Sequence, residues 1–117
     1  MKNWASRHER FMRDEIPVRL GGIAANLARI SSFSNNPEHT QAILGMIEES
    51  KWFIEWAAPS LDIDVAARLV EIQVSLAMVE SQINRGMATS EIADQAAGWS
   101  EEILNMSGLL DYTVETD

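Results

Sequence analysis

The sequence of 117 residues contains no cysteine and two histidines. Without cysteine the chain can form no disulfide, no thiolate zinc site and no iron–sulfur cluster, and it has no cysteine nucleophile. Helical bundles that hold two iron ions use Glu-x-x-His pairs, and no glutamate of this chain is followed by a histidine three residues on. We therefore expect a protein that is not an enzyme, with no catalytic residue, no cofactor and no metal.

Long apolar runs are also missing. No uninterrupted apolar segment approaches the roughly 20 residues that a helix needs to cross a bilayer. The charged N-terminal segment MKNWASRHERFMRDE is not followed by the apolar stretch of a secretory signal peptide. We therefore expect a cytoplasmic protein without a transmembrane segment.

Basic residues are few, and they are unevenly placed. Nine Lys and Arg stand against eighteen Asp and Glu, which gives a net charge of −9. An acidic protein repels phosphate backbones, so nucleic-acid binding by the whole domain is not expected, and a basic protein is the more natural partner. The first 13 residues nevertheless carry +3, through Lys2, Arg7, Arg10 and Arg13 against Glu9, which leaves −12 on the remaining 104 residues.

Apolar residues recur at intervals of three and four, the pattern of amphipathic helices, and no segment alternates with a period of two. The stripe from Ile16 to Ile30 predicts a long helix over about residues 14–33, with Asp14 as N-cap and Pro17 in the first turn. Further helices are predicted from Asn36 to about Ala57, from Asp62 or Asp64 to Gly86, and from Ser90 towards the acidic C-terminal segment.

Four helices of about 20 residues with short connections favour antiparallel neighbours. We therefore predict an all-α fold in which residues 14–112 form an antiparallel up-down four-helix bundle. A short basic amphipathic helical arm, residues 1–13, precedes the bundle, and residues 113–117 form an acidic tail that is expected to fray.

Trp52 and Trp56 do not fit the core stripe of their helix. At about 100° per residue they stand about a quadrant beyond the edge of that stripe, and each indole can bury on the order of 200 Å². One candidate cover is the arm, which as a helix would present Trp4, His8 and Phe11 together. The other, which we favour, is a second copy of the protein at a two-fold interface.

The third predicted helix also carries more apolar surface than one core requires. Beside its main stripe runs a second line, Ala66, Val70, Val74 and Ala77, which predicts burial on two sides. The predicted interface residues are therefore Trp52, Trp56, Val70, Val74, Trp4 and Phe11.

Three segments, IPVRLGGIAANLARISSFS, EESKWFIEWAA and GWSEEILNMSGLL, resemble small uncharacterised helical proteins of cyanobacteria. The resemblance implies a small cytosolic helical protein of a photosynthetic bacterium. It implies no activity and no catalytic residue.

Together these observations predict a protein that acts through association, as a homodimer and as an adaptor for a basic protein partner. An alternative is a small-molecule binder or enzyme with a pocket between helices, near Trp99 and Met106 or near Trp52 and Trp56. A third possibility is an antitoxin-like protein that neutralises a basic partner.

Overall fold

The structure is a computed structural model that describes residues 3–108. Within this range all regular elements are helical, so the prediction of an all-α fold is confirmed there. Short 3-10 turns at Pro37–His39, Ala58–Ser60 and Thr89–Ile92 connect the longer helices. The five longer helices are α1 (Trp4–Arg13), α2 (Ile16–Phe33), α3 (Thr40–Ala57), α4 (Ile63–Asn84) and α5 (Ala93–Ser107).

The junction between α1 and α2 differs from the prediction at Asp14. Asp14 ends α1, with its backbone N–H bonded to the Phe11 carbonyl, and Glu15 is the residue that precedes α2. Both residues have extended backbone, so α1 and α2 are separate helices. The Arg19 side chain donates to the carbonyl of Asp14 at 2.7 Å and to that of Met12 at 2.9 Å, which satisfies acceptors that the end of α1 leaves open.

Helices α3 and α5 begin at Thr40 and Ala93, later than predicted, because a 3-10 turn precedes each of them. The side chain of Asn36 accepts from the Glu38 N–H at 3.0 Å, as expected of a cap. Gly86, with φ of +105°, ends α4 in a conformation that other residues rarely adopt. Helix α5 ends at Ser107, and Gly108 follows in the left-handed conformation. Residues 109–112 and the predicted tail, residues 113–117, lie outside the described range.

The core lies where the predicted stripes meet. Helix α2 packs most extensively against α5 and next against α3, which packs in turn against α4. Ile16, predicted to begin the core stripe of α2, is exposed instead, because it lies at the first position of the helix. The buried apolar residues of the core include Leu20, Ile23, Leu27, Ile30, Ile43, Ile47, Ile54, Leu69, Ile72, Leu76, Val79, Ile83, Ile92, Ala96, Trp99 and Ile103.

Two serine side chains form hydrogen bonds between α2 and α5. Ser31 Oγ donates to the Ala93 carbonyl at 2.8 Å, and Ser100 Oγ donates to the Ala24 carbonyl at 2.7 Å. These two bonds fix α5 along α2. Among the helices of residues 3–108, none has both the length and the apolar character that crossing a bilayer would require.

Candidate interaction surface

Helix α1 lies on α3 and covers part of its aromatic surface. Trp4 and His8 are one helical turn apart and therefore project from the same side of α1. The Trp4 ring lies 5.9 Å from that of Trp52 and 6.2 Å from that of Trp56, and the His8 ring lies 4.8 Å from Trp56. These residues, with Phe11 and Phe53, are called the aromatic cluster below.

The C-terminal half of α1 anchors the cluster. Phe11 is buried and stacks on Phe53 with ring centroids 4.6 Å apart and planes inclined by 15°. Its ring also lies 5.8 Å from that of Trp56. Phe11 belongs to the continuous hydrophobic core and thereby connects α1 to it.

A polar contact fixes α1 in the same place. Arg7 Nη1 donates to Glu49 Oε2 at 2.6 Å, and Asn26 Nδ2 donates to Glu49 Oε1 at 3.0 Å. Asn26 is only 1% exposed, and its amide oxygen accepts from Arg29. One carboxylate therefore joins α1, α2 and α3. Residue spacing did not predict this arrangement, although an asparagine within an apolar helix and a glutamate beside two tryptophans are its signals in the sequence.

The predicted interface residues fall into two groups. Trp4, Phe11, Trp52 and Trp56 meet in the aromatic cluster, whereas Val70 and Val74 lie on the outer side of α4. The arm, which we considered the less favoured cover, therefore contacts both tryptophans. Trp52 nevertheless remains 42% exposed, and its burial by a second copy stays a prediction.

Two residues of the second predicted apolar line of α4, Val70 and Val74, are exposed among residues 3–108. Val70, Val74 and Met78, which we call the apolar ridge, are 43%, 55% and 59% exposed. They are spaced four residues apart and so follow one side of the helix. Residues 3–108 thus bury one side of α4, and burial of the second side stays a prediction.

Between α3 and α4 lies an open groove of about 630 Å³. We call Trp52, Val74 and Ala77 its apolar lining, and Glu48, Glu55 and Glu80 its acidic lining. Trp52 belongs both to this groove and to the aromatic cluster, so the two surfaces are continuous.

Two polar bridges join the walls of the groove. Lys51 Nζ donates to Glu80 Oε1 at 2.6 Å. Gln73 Nε2 donates to Glu55 Oε2 and to the Lys51 carbonyl, each at 3.0 Å. The residues that line the groove carry three carboxylates and one ammonium group, and the amide of Gln73 is neutral. The groove is thus built by contacts within the chain and has a net negative charge.

The alternative pocket near Trp99 and Met106 finds less support in the geometry. Trp99 is buried in the core beside Ile103 and Ala96. Met106 lines a separate cavity of about 190 Å³ between α2, α4 and α5. The pocket near Trp52, by contrast, corresponds to the groove between α3 and α4.

The charged groups of residues 3–108 do not assemble into a metal site: no three histidine or carboxylate side chains in this range are grouped to hold an ion. A bidentate ion pair joins α4 to α5 instead. Arg68 Nε and Nη2 donate to the two carboxylate oxygens of Glu102 at 2.6 and 2.9 Å. These hydrogen bonds lower the pKa of Glu102.

Comparison with protein-family models, with curated proteins and with solved structures gives no match to this chain. The resemblance to helical proteins of cyanobacteria therefore stays a prediction. Any functional conclusion has to rest on the surfaces described above.

Proposed function

We propose that this protein is not an enzyme and acts through association with other proteins, as a homodimer and as an adaptor for a basic protein partner. The observation that carries the proposal is the apolar ridge of α4 together with the exposed part of Trp52. Soluble monomers rarely expose large contiguous apolar patches, and such patches typically mark interaction sites.

The ridge suits a two-fold interface. In such an interface the same patch serves both subunits, and a straight line of aliphatic side chains on one helix can pack against its own copy. The neighbouring indole of Trp52 adds the kind of side chain that commonly anchors protein interfaces. Both features lie outside the hydrophobic core, so association would not require the fold to open.

The same proposal includes an up-down antiparallel arrangement of α2 to α5. The bonds Ser31 to Ala93 and Ser100 to Ala24 support opposite directions for α2 and α5. The bridges across the groove support the same for α3 and α4. Cytoplasmic residence and kinship with small cyanobacterial helical proteins complete the proposal and are supported by the sequence patterns alone.

Sedimentation equilibrium at micromolar concentrations tests the homodimer. We expect twice the monomer mass for the unmodified protein, and a shift towards monomer when Val70 and Met78 are both changed to serine. Ile63, which is 83% exposed at the start of α4, provides the control, since Ile63→Ser removes exposed apolar area outside the ridge. A protein that stays monomeric with full helix content would overturn the homodimer, and an unchanged V70S/M78S dimer would exclude the ridge as its interface.

A second candidate function is small-molecule binding in the groove. Its volume lies within the range of about 300–1,000 Å³ that ligand pockets commonly have, and Trp52 offers an aromatic wall. Native mass spectrometry of the purified protein tests this function. A bound molecule that is lost on Val74→Glu would favour it over association.

A further inference from the structure

The groove between α3 and α4 combines two features that together restrict what can occupy it. Its apolar lining offers an indole and two aliphatic side chains, and its acidic lining places three carboxylates around them. With Lys51 paired to Glu80, the net charge of these groups is negative. An occupant therefore needs an apolar side and positive charge next to it.

Helix α1 shows that an α-helix can present an apolar side and adjacent positive charge to α3. Helix α1 seats Trp4, His8 and Phe11 on the aromatic side of α3 and pairs Arg7 with Glu49. It is thus a basic amphipathic helix packed on an aromatic and acidic surface. Trp52 marks the boundary, because it contacts Trp4 on the one hand and lines the groove on the other.

We propose that the α3–α4 groove binds a basic amphipathic helix of a partner protein. The partner's apolar residues, spaced three and four apart, pack on the apolar lining, and its Lys or Arg residues face the acidic lining. The inference rests on the proposed function in taking association as the protein's role, but it does not require the homodimer.

Charge complementarity favours this occupant over a second copy of the groove. A two-fold contact between two such grooves would bring acidic linings together, and like charges in an interface are unfavourable. The apolar ridge can serve self-association from the outer side of α4, with Val74 shared between ridge and groove. Val70 and Met78 belong to the ridge and not to the groove lining, so V70S/M78S tests the ridge separately.

The test measures fluorescence anisotropy of a labelled synthetic peptide titrated with the full-length protein. The probe is an alanine-based peptide of about 18 residues, long enough to form a helix, with leucines spaced three and four apart and lysines on the remaining faces. One control peptide replaces every lysine by glutamate. A second has the same composition in an order that destroys the apolar stripe. We expect saturable binding of the basic amphipathic peptide and none of the two controls.

Substitutions locate the site. Val74→Ser should weaken peptide binding by about three- to tenfold, because it removes apolar contact area. Glu55→Gln should weaken it by about two- to fivefold at low ionic strength, and this loss should shrink as salt is added. Glutamine at position 55 can still accept the hydrogen bond from Gln73, so the groove should keep its shape. Ile63→Ser should change affinity by less than about twofold.

Each outcome decides one point. Equal binding of the basic, acidic and scrambled peptides, or equal losses in V74S and I63S, would overturn the inference. So would loss of peptide binding in V70S/M78S, since the peptide would then occupy the ridge rather than the groove. A monomeric protein that binds the peptide would refute the homodimer and support the inference. A dimeric protein that does not bind the peptide would support the homodimer and refute the inference. The V70S/M78S variant should bind the peptide with nearly unchanged affinity.

Discussion

The Arg7 guanidinium and the Glu49 carboxylate form an ion pair at 2.6 Å, although 42 positions of sequence separate them. The other oxygen of the same carboxylate accepts from the buried Asn26 amide at 3.0 Å. The position of α1 on the bundle is therefore set by a polar contact as well as by aromatic packing. The chain between α1 and α2 consists of the extended residues 14 and 15, so release of α1 would leave the connections among α2 to α5 intact.

Removing the guanidinium should loosen α1. We expect Arg7→Ala to lower the stability of α1 docking by about 1 kcal/mol, because the pair is partly buried and the Glu49 carboxylate loses its charged partner. Hydrogen exchange of the amides in α1 measures this change directly. Arg13→Ala is the matched control, since Arg13 pairs with Glu9 within α1 in an exposed position. Equal effects of the two substitutions would mean that the contact with Glu49 does not hold the helix.

Truncating Phe11 should reveal whether α1 opens independently. Loss of a buried Phe side chain commonly costs about 3–5 kcal/mol, but a helix that can detach loses at most its own docking free energy. We therefore expect Phe11→Ala to increase hydrogen exchange throughout α1. We expect it to lower the free energy of global unfolding by less than Leu27→Ala does. For Leu27→Ala a loss of about 2–5 kcal/mol is expected. Similar losses in the two variants would show that α1 unfolds together with the core.

The sequence predicted the helices and most of the core because both depend on local spacing. The stripe from Leu20 to Ile30 is buried as expected, and Asn36 and Gly86 mark helix ends. The error at Asp14 arose because acidic residues before a proline favour the start of a helix, whereas here the preceding helix already uses that residue as its end. Local sequence patterns do not determine whether a residue between two helices ends the first or begins the second.

The aromatic surface was recognised from the sequence, but its cover was not decided. The helical wheel placed Trp52 and Trp56 outside the core stripe, and Trp52 is indeed exposed. The cover of Trp52 and Trp56 depends on the direction of the chain after Arg13 and on the pairing of Arg7 with Glu49. These are tertiary relationships between distant residues, and no spacing rule encodes them.

Two glycines should respond in opposite ways to alanine. Gly98 lies within α5, and a Cβ added there meets no atom within 4 Å, so Gly98→Ala should stabilise the protein by about 0.5–1 kcal/mol. Gly86 has φ of +105°, and Gly86→Ala should destabilise it by about 1 kcal/mol or more because of backbone strain. Urea unfolding followed by circular dichroism measures both. Destabilisation by Gly98→Ala would contradict the open surroundings of that position.

The pair of Arg68 and Glu102 should make stability depend on pH in the acidic range. Hydrogen bonds from Arg68 lower the pKa of Glu102 in the folded protein, so the unfolded chain binds more protons there. The contribution of Glu102 is therefore fully present above the ordinary pKa of a glutamate, near pH 4, and is lost as the pH falls through the lowered value. Both side chains are more than one third exposed, and solvent screening limits the effect to less than about 1 kcal/mol.

Urea unfolding of Glu102→Gln at several pH values tests this dependence. We expect the variant to be less stable than the unmodified protein near pH 7, and the difference to vanish towards about pH 2, where the carboxylate is protonated in both states. Added salt should reduce the difference at pH 7, since the pair lies at the surface. Glu101→Gln is the matched control, because it removes a carboxylate from the exposed neighbouring position of α5 and leaves the bidentate contact with Arg68 in place. A difference that persists at low pH would show that Glu102 contributes through packing rather than through its charge.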